Sequence, residues 1–422
     1  MNSNDWVSLD AVAELVSTKV AVRLLQGKPY FSTENMLPNL RGVISAEQPS
    51  IGRVNGFKPH DTLFSNIRPY FRKVHYAHTS GGCSADVLVF RSKDPETFDP
   101  TYLYYCLANP AFIDYTMATC KGAKMPRGDK SAMTRYQVLA LNLEEQKKVA
   151  GLLRAMDDII DGLRTQSTTL EAIAQGLFRS WFVNFDPVRA KAAGRDVEGI
   201  PSKLAELFPA SMEDSEHGEI PNGWRFESLD KRISYLNGLA LQKFPPIEGE
   251  PTLPVIKIAQ LRAGRGDPSI LANRKLRPDY IIKDGDIIFS WSGSLEIKIW
   301  VGGEGALNQH LFKVHSASLP PWFCYCATML HLASFRAIAA DKATTMGHIQ
   351  RHHLTEAKVA MPADEFICRL SPIFEPLYKT MVANGQIVRQ LEELRDHLLP
   401  RLVSGTMPIN TAELMVAEAM PA

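Results

Sequence analysis

Two stretches decide the fold: VAGLLRAMDDIIDGLRTQSTTLEAIAQGLFRSW at residues 149–181 and LSPIFEPLYKTMVANGQIVRQLEELRDHLLPRL at residues 370–402. In the first, mostly apolar residues recur at alternating spacings of four and three, and adding 221 to each position gives the ladder of the second. Such heptad spacing is typical of helices that pack along a seam. A period this long exceeds the roughly 20–50 residues of a solenoid repeat. The chain therefore contains two copies of an entire module.

The repeat extends into the sequence before each helix. Trp6–Asp10 is echoed by Trp224 with 228–230, and DTLFS at 61–65 by DIIFS at 286–290. MPRGDK at 125–130 is echoed by MGHIQR at 346–351, in both copies just before the long helix. Elsewhere the two copies look unrelated. A shared scaffold with divergent contents is what two recognition domains for different targets would need.

Composition and local patterning divide the chain. A length of 422 residues predicts two or three domains. Strand-like runs such as 86–90 and short helical runs such as 102–107 alternate in the first part. The segment after the first helix is acidic and carries Pro187, Pro201, Pro209 and Pro221, which favours a connector. The predicted ranges are a first mixed domain at 1–143, a long helix at 144–182, a connector at 183–223, a second mixed domain at 224–363, a second long helix at 364–405 and a tail at 406–422.

The chain reads as an intracellular, soluble protein. The N-terminus MNSNDWVSLD lacks the features of a signal peptide, and no apolar run approaches the roughly 20 residues needed to span a bilayer. The six cysteines make no CxxC pair, which favours free buried thiols in a reducing cytoplasm over metal binding or disulfides.

Charge is distributed unevenly although the formal net charge is only +1. Residues 116–136 carry five basic side chains against one acidic, and residues 257–277 carry six against one. Between 196 and 219 the sign reverses, with seven acidic side chains against one lysine. Two basic clusters separated by an acidic connector suit a protein that grips a polyanion at two places. Ordinary solvated surface explains the charge pattern alone equally well.

Several segments carry a resemblance to a known family. DTLFSNIRPYFRKVHYA at 61–77, LEEQKKVAGLL at 143–153 and FRSWFVNFDPVRAK at 178–191 resemble the specificity subunit of type I restriction–modification systems. So do GEIPNGW at 218–224, GHIQRHHL at 347–354 and LRDHLLPRLVSG at 394–405. The resemblance covers essentially the whole chain, in order and with the duplication. It departs at 141–143, where a lead-in containing proline is common in the family, and at Asn384, whose equivalent in the first ladder is Leu163.

The resemblance implies an α+β fold with a pseudo-two-fold internal repeat. Two globular, mixed α/β target-recognition domains would be separated by two long antiparallel coiled-coil helices. Each domain would read one half of a bipartite DNA target, and the helices would set the spacer and dock two methylation subunits. Restriction subunits would add translocation and cleavage. S-adenosylmethionine, ATP and Mg are then expected in the partner subunits, with no cofactor or metal in this chain.

The residues themselves support no catalytic constellation. The nearest match to an adenine methyltransferase loop is Asn109-Pro110-Ala111-Phe112, which lacks the second proline, and no P-loop is present. GGEG at 302–305 is expected to be a turn between strands. His348, His352 and His353 suggest surface or DNA-facing residues more than a metal site, because no Cys or carboxylate stands at ligand spacing. The chain is predicted to be a non-catalytic subunit, since methylation and cleavage would reside in its partners.

The DNA-binding residues are predicted from their chemistry and their place in the repeat. Arg and Lys read guanine, and Asn and Gln read adenine, in the major groove, while other basic contacts go to phosphate. The candidates are Lys121, Lys124, Arg127, Lys130, Arg262, Arg265, Arg274, Gln350, Arg351 and His352. Gly128 and Gly347 are expected only to shape the loops. A coiled-coil adaptor that does not bind DNA remains the alternative, and a self-contained nuclease or methyltransferase is opposed by the missing motifs.

Overall fold

The computed structural model describes residues 5–44, 46–122, 124–197, 199–341 and 347–419, with the backbone alone at residues 5 and 419. The chain forms two compact units. Unit 1 comprises Met1–Ile160 with Gln390–Ala422, and unit 2 comprises Asp161–Arg389. Each long helix contributes to both units, so that each unit contains one mixed α/β domain and a segment of each helix.

The elements of unit 1 are short strands followed by helices. The strands are β1 (Asp5–Ser8), β2 (Ala13–Leu15), β3 (Lys19–Ala21), β4 (Tyr30–Phe31), β5 (Arg53–Phe57), β6 (Thr62–Ser65), β7 (Val74–Tyr76), β8 (Gly81–Cys83), β9 (Val87–Ser92) and β10 (Gln137–Ala140). The helices are α1 (Leu9–Val12), α2 (Pro100–Ala108), α3 (Pro110–Ala118), α4 (Lys130–Thr134) and the long α5 (Leu143–Phe182), and 3-10 turns cover Val22–Leu25 and Pro69–Phe71.

Unit 2 repeats this order after an added segment. Its strands are β11 (Met212–Ser215), β12 (Gly218–Pro221), β13 (Arg225–Ser228), β14 (Ser234–Asn237), β15 (Thr252–Ile256), β16 (Leu271–Asn273), β17 (Ile281–Ile282), β18 (Ile287–Ser290), β19 (Ile297–Ile299), β20 (Gly305–Leu307), β21 (Leu311–His315) and β22 (Lys358–Met361). Its helices are α6 (Asp186–Ala192), α7 (Ser202–Ala205), α8 (Leu229–Arg232), α9 (Ile258–Ala263), α10 (Pro321–Leu330), α11 (Leu332–Asp341), α12 (Arg351–Glu356) and α13 (Asp364–Arg369), with 3-10 turns at Leu241–Lys243 and Pro278–Tyr280. The long α14 (Ser371–Val403) and the terminal α15 (Ile409–Ala419) complete the chain.

Each unit contains its own copy of the same four-stranded antiparallel sheet. In unit 1 it has the antiparallel order β2-β9-β6-β7, and in unit 2 the antiparallel order β14-β21-β18-β19. The central strands β6 and β18 lie within the echoed motifs at 61–65 and 286–290. The four residues of each strand are buried. A separate two-stranded ribbon pairs Ser8 with Gln137 in unit 1 and Ser228 with Lys358 in unit 2. The internal repeat is therefore a repeat of structure.

The second sheet of each unit differs between the copies. In unit 1 the order is β3-β5-β8-β4, with the central β5 and β8 antiparallel and β4 parallel to β8. In unit 2 the order is β16-β15-β20-β17, with the central β15 and β20 parallel and β17 antiparallel to β20. The divergence seen in the sequence therefore includes strand direction as well as side chains.

The long helices form the predicted seam. Asn142 Oδ1 accepts the N–H of Glu145 at 2.9 Å, which caps the start of α5. In unit 2, Asn384 Nδ2 lies 2.8 Å from Gln166 Oε1, while Trp181 packs edge-on against Phe374, so α5 and α14 run antiparallel. In unit 1, Asp157 bonds to Arg395 at 2.7 Å. The α+β fold class with two long, antiparallel, packed helices and an internal repeat is confirmed.

The segment predicted as a connector is folded. It contains α6, α7 and the hairpin of β11 and β12, paired from Met212↔Pro221 to Ser215↔Gly218. Phe185, Val188 and Phe208 are buried in the core cluster of unit 2. The connector interpretation rested on acidity and prolines, but the spaced apolar residues bury this segment against the domain. The predicted tail likewise contains α15, in which Ala412 is buried.

All six cysteines are free, as predicted; Cys83, Cys106, Cys324 and Cys326 are buried, whereas Cys120 is half-buried and Cys368 is exposed. Burial raises the pKa of the Cys83 thiol to about 12. Within the described ranges, no single helix is long and apolar enough to cross a membrane, and only the pair α10 and α11, bent by 43°, meets those criteria jointly.

Candidate nucleic-acid interface

In unit 1 the predicted basic loop is held against the end of strand β6. Ile67 and Arg127 form an antiparallel bridge, and the Arg68 N–H donates to the carbonyl of Pro126 at 2.9 Å. The Gly128 N–H donates to the Asn66 carbonyl at 3.3 Å. A Cβ on Gly128 would collide with Met133 Cε, so glycine permits this close approach. The loop is thus fixed to the hairpin that joins β6 and β7.

Unit 2 repeats the same three contacts. Ser292 and His348 form the bridge, the Gly293 N–H donates to the Gly347 carbonyl at 2.8 Å, and the Ile349 N–H donates to the Trp291 carbonyl at 3.0 Å. Each loop residue lies 221 positions after its counterpart in unit 1. A Cβ on Gly347 would collide with the Ala339 carbonyl oxygen. The predicted equivalence of the two loops, and the loop-shaping role of both glycines, are confirmed by this geometry; Met346 lies outside the described residues.

The four candidates of unit 1 share this loop and the helix after it. Lys121 is 81% exposed at its side chain and pairs with Asp129 at 2.6 Å, and Arg127 pairs with Asp86 at 3.3 Å. Asp129 caps α4 by accepting from the Ser131 and Ala132 N–H groups, and the hydrogen bond from Lys121 is the first cause of its lowered pKa. Lys124 and Lys130 are exposed. The structure therefore brings all four onto one surface segment.

In unit 2, Gln350, Arg351 and His352 occupy the start of helix α12 and are exposed. Gln350 stands at the N-cap, as Asp129 does in unit 1. The Arg351 guanidinium donates to the Tyr235 carbonyl at 3.3 Å and lies 5.8 Å from the centroid of the Phe312 ring. Arg351 is therefore exposed overall, but its guanidinium also stabilises its own domain through these two contacts.

The other three candidates do not form one cluster. Arg262 pairs with Glu296 at 2.9 Å and also bonds to Ser294, in the hairpin loop that carries the bridge to His348. Arg265 is exposed after the C-cap of α9. Arg274 pairs with Glu304 at 2.6 Å, next to Gly303, whose N–H is held by Asp284. These contacts place Arg262 beside the loop of unit 2 but join Arg274 to a different turn, the GGEG segment. As predicted, that segment forms the turn between strands β19 and β20.

Metal-type side chains occur beside Gln350. The ligand atoms of His352, His353 and Glu356 lie within 4.8 Å of one another, so a carboxylate does stand near the histidines. However, His353 is buried, and its Nδ1 accepts the Gln350 N–H at 2.9 Å. That bond uses one ring nitrogen for helix capping and places the proton on the other. The arrangement is accounted for by capping, and the prediction that this chain holds no metal stays a prediction.

Sequence reasoning missed the aromatic residues of the two hairpins. Tyr70 and Phe71 are 48% and 37% exposed at the tip between β6 and β7, beside the basic loop. In unit 2 the corresponding hairpin carries Trp291, whose Nε1 donates to Asn237 Oδ1 at 3.1 Å and to the Gln309 carbonyl at 3.2 Å. Both hairpins follow directly after the echoed segments 61–65 and 286–290. A search for aromatic side chains next to the basic loops would have found them.

The Asn-Pro motif is a helix cap. Asn109 is buried, and its side-chain oxygen accepts the Ala111 N–H at 3.2 Å at the start of α3, where Pro110 is the first residue. This is a standard use of asparagine and proline. The motif therefore has a structural function at this position.

Comparison with known proteins agrees with the duplicated architecture. The chain is 22% identical over an alignment of 457 positions to the HindI specificity subunit of a type I restriction enzyme from Haemophilus influenzae, covering 95% of this chain and 99% of that protein. It is 24% identical over 318 positions to the MjaIX specificity subunit from Methanocaldococcus jannaschii, covering 73% and 69%. The chain is therefore similar to specificity subunits of type I restriction enzymes over most of its length.

A solved specificity subunit has the same fold. The S subunit of a type I restriction–modification system from M. genitalium superposes with a TM-score of 0.52 at 15% identity, covering 96% of this chain and 97% of that one. No protein-family model matches the chain. The resemblance inferred from the sequence motifs is confirmed by these relatives, and it extends over both units.

Proposed function

We propose that this chain is the sequence-specific DNA-recognition subunit of a type I restriction–modification complex. Each α/β domain reads one half of a bipartite target through its basic loop and the adjacent hairpin. The observation that carries the proposal is the pair of loops at a 221-residue offset, held by the same three backbone contacts but filled with different side chains. A conserved frame with exchanged contents is suited to two different half-sites.

The loops have the chemistry for both positioning and reading. Lys121, Lys124, Arg127 and Lys130 in unit 1 provide phosphate contacts and donors for guanine. Gln350 provides a donor and an acceptor, the pattern that reads adenine. Lys121 and Arg127 are paired with carboxylates in the free protein, so binding would exchange those partners for phosphate or base edges.

The helices are proposed to set the distance between the two readings. Helix α5 has 40 residues, which corresponds to about 60 Å at 1.5 Å per residue. This exceeds the roughly 34–36 Å that separates half-sites one DNA turn apart. Asn384 is buried in the seam and bonds to Gln166 and to Ser167, at 2.8 and 3.2 Å. A buried amide of this kind fixes helix register, and we assign that role to Asn384.

Catalysis is proposed to reside in partner subunits. Two methylation subunits would dock on the helices and supply S-adenosylmethionine and the pocket for a flipped adenine. Restriction subunits would supply ATP- and Mg-dependent translocation and cleavage. The chain itself would carry address information without a cofactor, and would work in the cytoplasm, where the target DNA lies.

The assembled complex provides the test. The chain is mixed with its methylation subunits, S-adenosylmethionine carrying a labelled methyl group, and genomic DNA from a host lacking the system. Label should enter DNA only when both kinds of subunit are present. Methyl transfer by the purified chain alone would refute the recognition-only role, and transfer by the methylation subunits without the chain would refute its role in targeting.

A further inference from the structure

The hairpin between β6 and β7 has a strained tip. Arg68 and Arg72 both adopt left-handed backbone conformations, with φ of 50° and 51°, on either side of the 3-10 turn Pro69–Phe71. Non-glycine residues rarely adopt this conformation, and it is maintained where the surrounding structure determines it. The tip is therefore held in one shape.

Contacts on several sides supply that constraint. The Arg72 guanidinium bonds to both carboxylate oxygens of Asp396, at 3.2 and 3.3 Å. The Asn39 N–H donates to the Phe71 carbonyl at 2.9 Å, and the Arg68 N–H donates to the Pro126 carbonyl at the same distance. The backbone of the tip is thus anchored while its two aromatic rings, with centroids 4.6 Å apart, remain exposed.

Positive charge surrounds these rings. Arg68 is exposed on the tip itself, and Lys73 Nζ lies 5.7 Å from the centroid of the Phe71 ring. The basic loop with Lys121, Lys124 and Arg127 is attached to the tip through the bridge at Ile67. Two nearby carboxylates are engaged by these cations, because Asp86 pairs with Arg127 and Asp129 with Lys121. Exposed aromatic rings within a basic rim are typical of nucleic-acid contacts.

We propose that Tyr70, supported by Phe71, makes an aromatic contact with the DNA half-site of the first domain. The Tyr70 ring would pack against a deoxyribose, or against the face of a base that is unstacked, next to the basic loop. This inference rests on the proposed function and adds a class of contact that the loop alone does not provide. Stacking is insensitive to base identity, so Tyr70 would contribute affinity and position rather than base choice.

The second domain lacks an equivalent tip. Six residues join β18 to β19, at 291–296, whereas eight join β6 to β7, at 66–73. Trp291 is half-buried and held by its hydrogen bonds to Asn237 and Gln309, and Glu296 pairs with Arg262. The aromatic contact is therefore assigned to one half-site only.

The test uses the complex of the full chain with its methylation subunits. The probe is a fluorescein-labelled duplex carrying the bipartite motif found by methylome sequencing, with a scrambled duplex of equal composition for comparison. Wild type is compared with Tyr70→Ala, with Tyr70→Phe, which keeps the ring, and with Ile247→Ala, which removes another exposed apolar side chain. Affinity is measured from low to high salt, and assembly by analytical ultracentrifugation.

We expect Tyr70→Ala to weaken binding to the motif duplex by about 10- to 100-fold with an unchanged salt slope, because stacking is lost but no charge is. Tyr70→Phe should bind within about twofold of wild type, because it keeps the aromatic face that provides the contact. Ile247→Ala should also bind within about twofold, because it leaves the Tyr70 ring in place. Unchanged binding by Tyr70→Ala would overturn the inference, as would an equal loss in Tyr70→Phe, which would assign the effect to the hydroxyl. Impaired assembly with unchanged affinity would identify a protein-facing patch and also overturn it. Failure of the wild type to prefer the motif duplex would instead refute the proposed function.

Discussion

The two α/β domains share a frame and differ in what they attach to it. Both have the same four-stranded antiparallel sheet, the same terminal ribbon and the same bridge between hairpin and loop. Their second sheets differ in strand direction, and their hairpin tips differ in length and in exposed aromatic residues. The terminal ribbons come just before the long helices in the chain, because β10 precedes α5 and β22 precedes α13 and α14, whereas the second sheets and the hairpin tips carry the differences. A recognition protein can therefore change its target while keeping the geometry that its partners require.

The helix seam shows the same contrast. In unit 1 it contains a buried charged network, in which Arg395 bonds to Asp157 at 2.7 Å and Tyr105 donates to the same carboxylate at 2.8 Å. In unit 2 the seam contains the neutral amide of Asn384. Removing one member of a buried ion pair leaves an uncompensated charge, whereas an amide can be replaced at lower cost.

The largest expected effect is therefore at Arg395. We expect Arg395→Ala to lower the free energy of unfolding by about 3–5 kcal/mol. Asn384→Leu should lower it by only about 1 kcal/mol, because its neutral partners can bond to water. Urea unfolding of the full chain, followed by circular dichroism, measures both. Equal losses in the two variants would contradict the distinction between the charged and the neutral seam.

Acid should destabilise unit 1 through His75. Burial first, and then the charges of His78 and Arg154, lower the pKa of His75 to about 4 from an ordinary 6.5. Between about pH 6.5 and pH 4, the His75 imidazole is therefore protonated in the unfolded chain but neutral in the folded chain. The free energy of unfolding falls by about 3 kcal/mol as the pH drops through this range. His75→Phe, which keeps an aromatic ring, should remove this part of the pH dependence.

The control for this prediction is His217→Gln, because His217 is exposed. The free energy of unfolding is measured with urea at pH 7 and at pH 4.5. Its loss between the two pH values should be smaller in His75→Phe than in wild type, and should be the same in His217→Gln as in wild type. The same difference in all three proteins would show that other groups carry the acid sensitivity.

The two loop glycines should differ in tolerance. A Cβ at position 347 meets the backbone carbonyl of Ala339, whereas one at position 128 first meets the flexible end of Met133. We expect Gly347→Ala to lower the unfolding free energy by about 1–3 kcal/mol, as overpacking does, and Gly128→Ala to lower it less. Thermal unfolding of both variants checks the order, and the reverse order would contradict the packing described for the loops.

The smallest effects are expected from single loop cations. Lys124→Ala should weaken DNA binding by the assembled complex and reduce the salt slope by about 0.9, without changing the melting temperature, if Lys124 contacts one phosphate. Arg351→Ala should weaken binding and also lower the melting temperature, because Arg351 bonds to the Tyr235 carbonyl and packs over Phe312. Fluorescence anisotropy over a range of salt, with a thermal melt, measures both. Unchanged affinity in both variants would refute this placement of the interface.

Much of the frame was predictable from the sequence. The ladders at 149–181 and 370–402 depend on local periodicity, which predicted the helices and their 221-residue offset. The echo of MPRGDK in MGHIQR at that offset predicted the equivalence of the loops at Arg127 and His348. Pairings such as Arg127 with Asp86 were not predictable, because they join residues brought together only by the sheet. The fold within the segment 183–223 was not predicted, because its acidity and prolines indicated only a connector, and the burial of Phe185, Val188 and Phe208 depends on the core of unit 2.

The candidate site was predicted in part. The positions of Lys121, Lys124, Arg127 and Lys130 on one surface segment follow from their spacing along the chain, but the exposure of Tyr70 depends on the left-handed turns at Arg68 and Arg72. Charge also overstated the number of available cations, because Lys121, Arg127, Arg262 and Arg274 pair with carboxylates in the folded protein.

Methylome sequencing tests the central claim most directly, namely that one frame carries two different readings. The DNA is taken from a host that expresses this chain with its methylation subunits, and from the same host without the chain. The account predicts adenine methylation at a split motif with two unlike halves and an unread spacer of fixed length, present only with the chain. A continuous motif, or one with two identical halves, would contradict it.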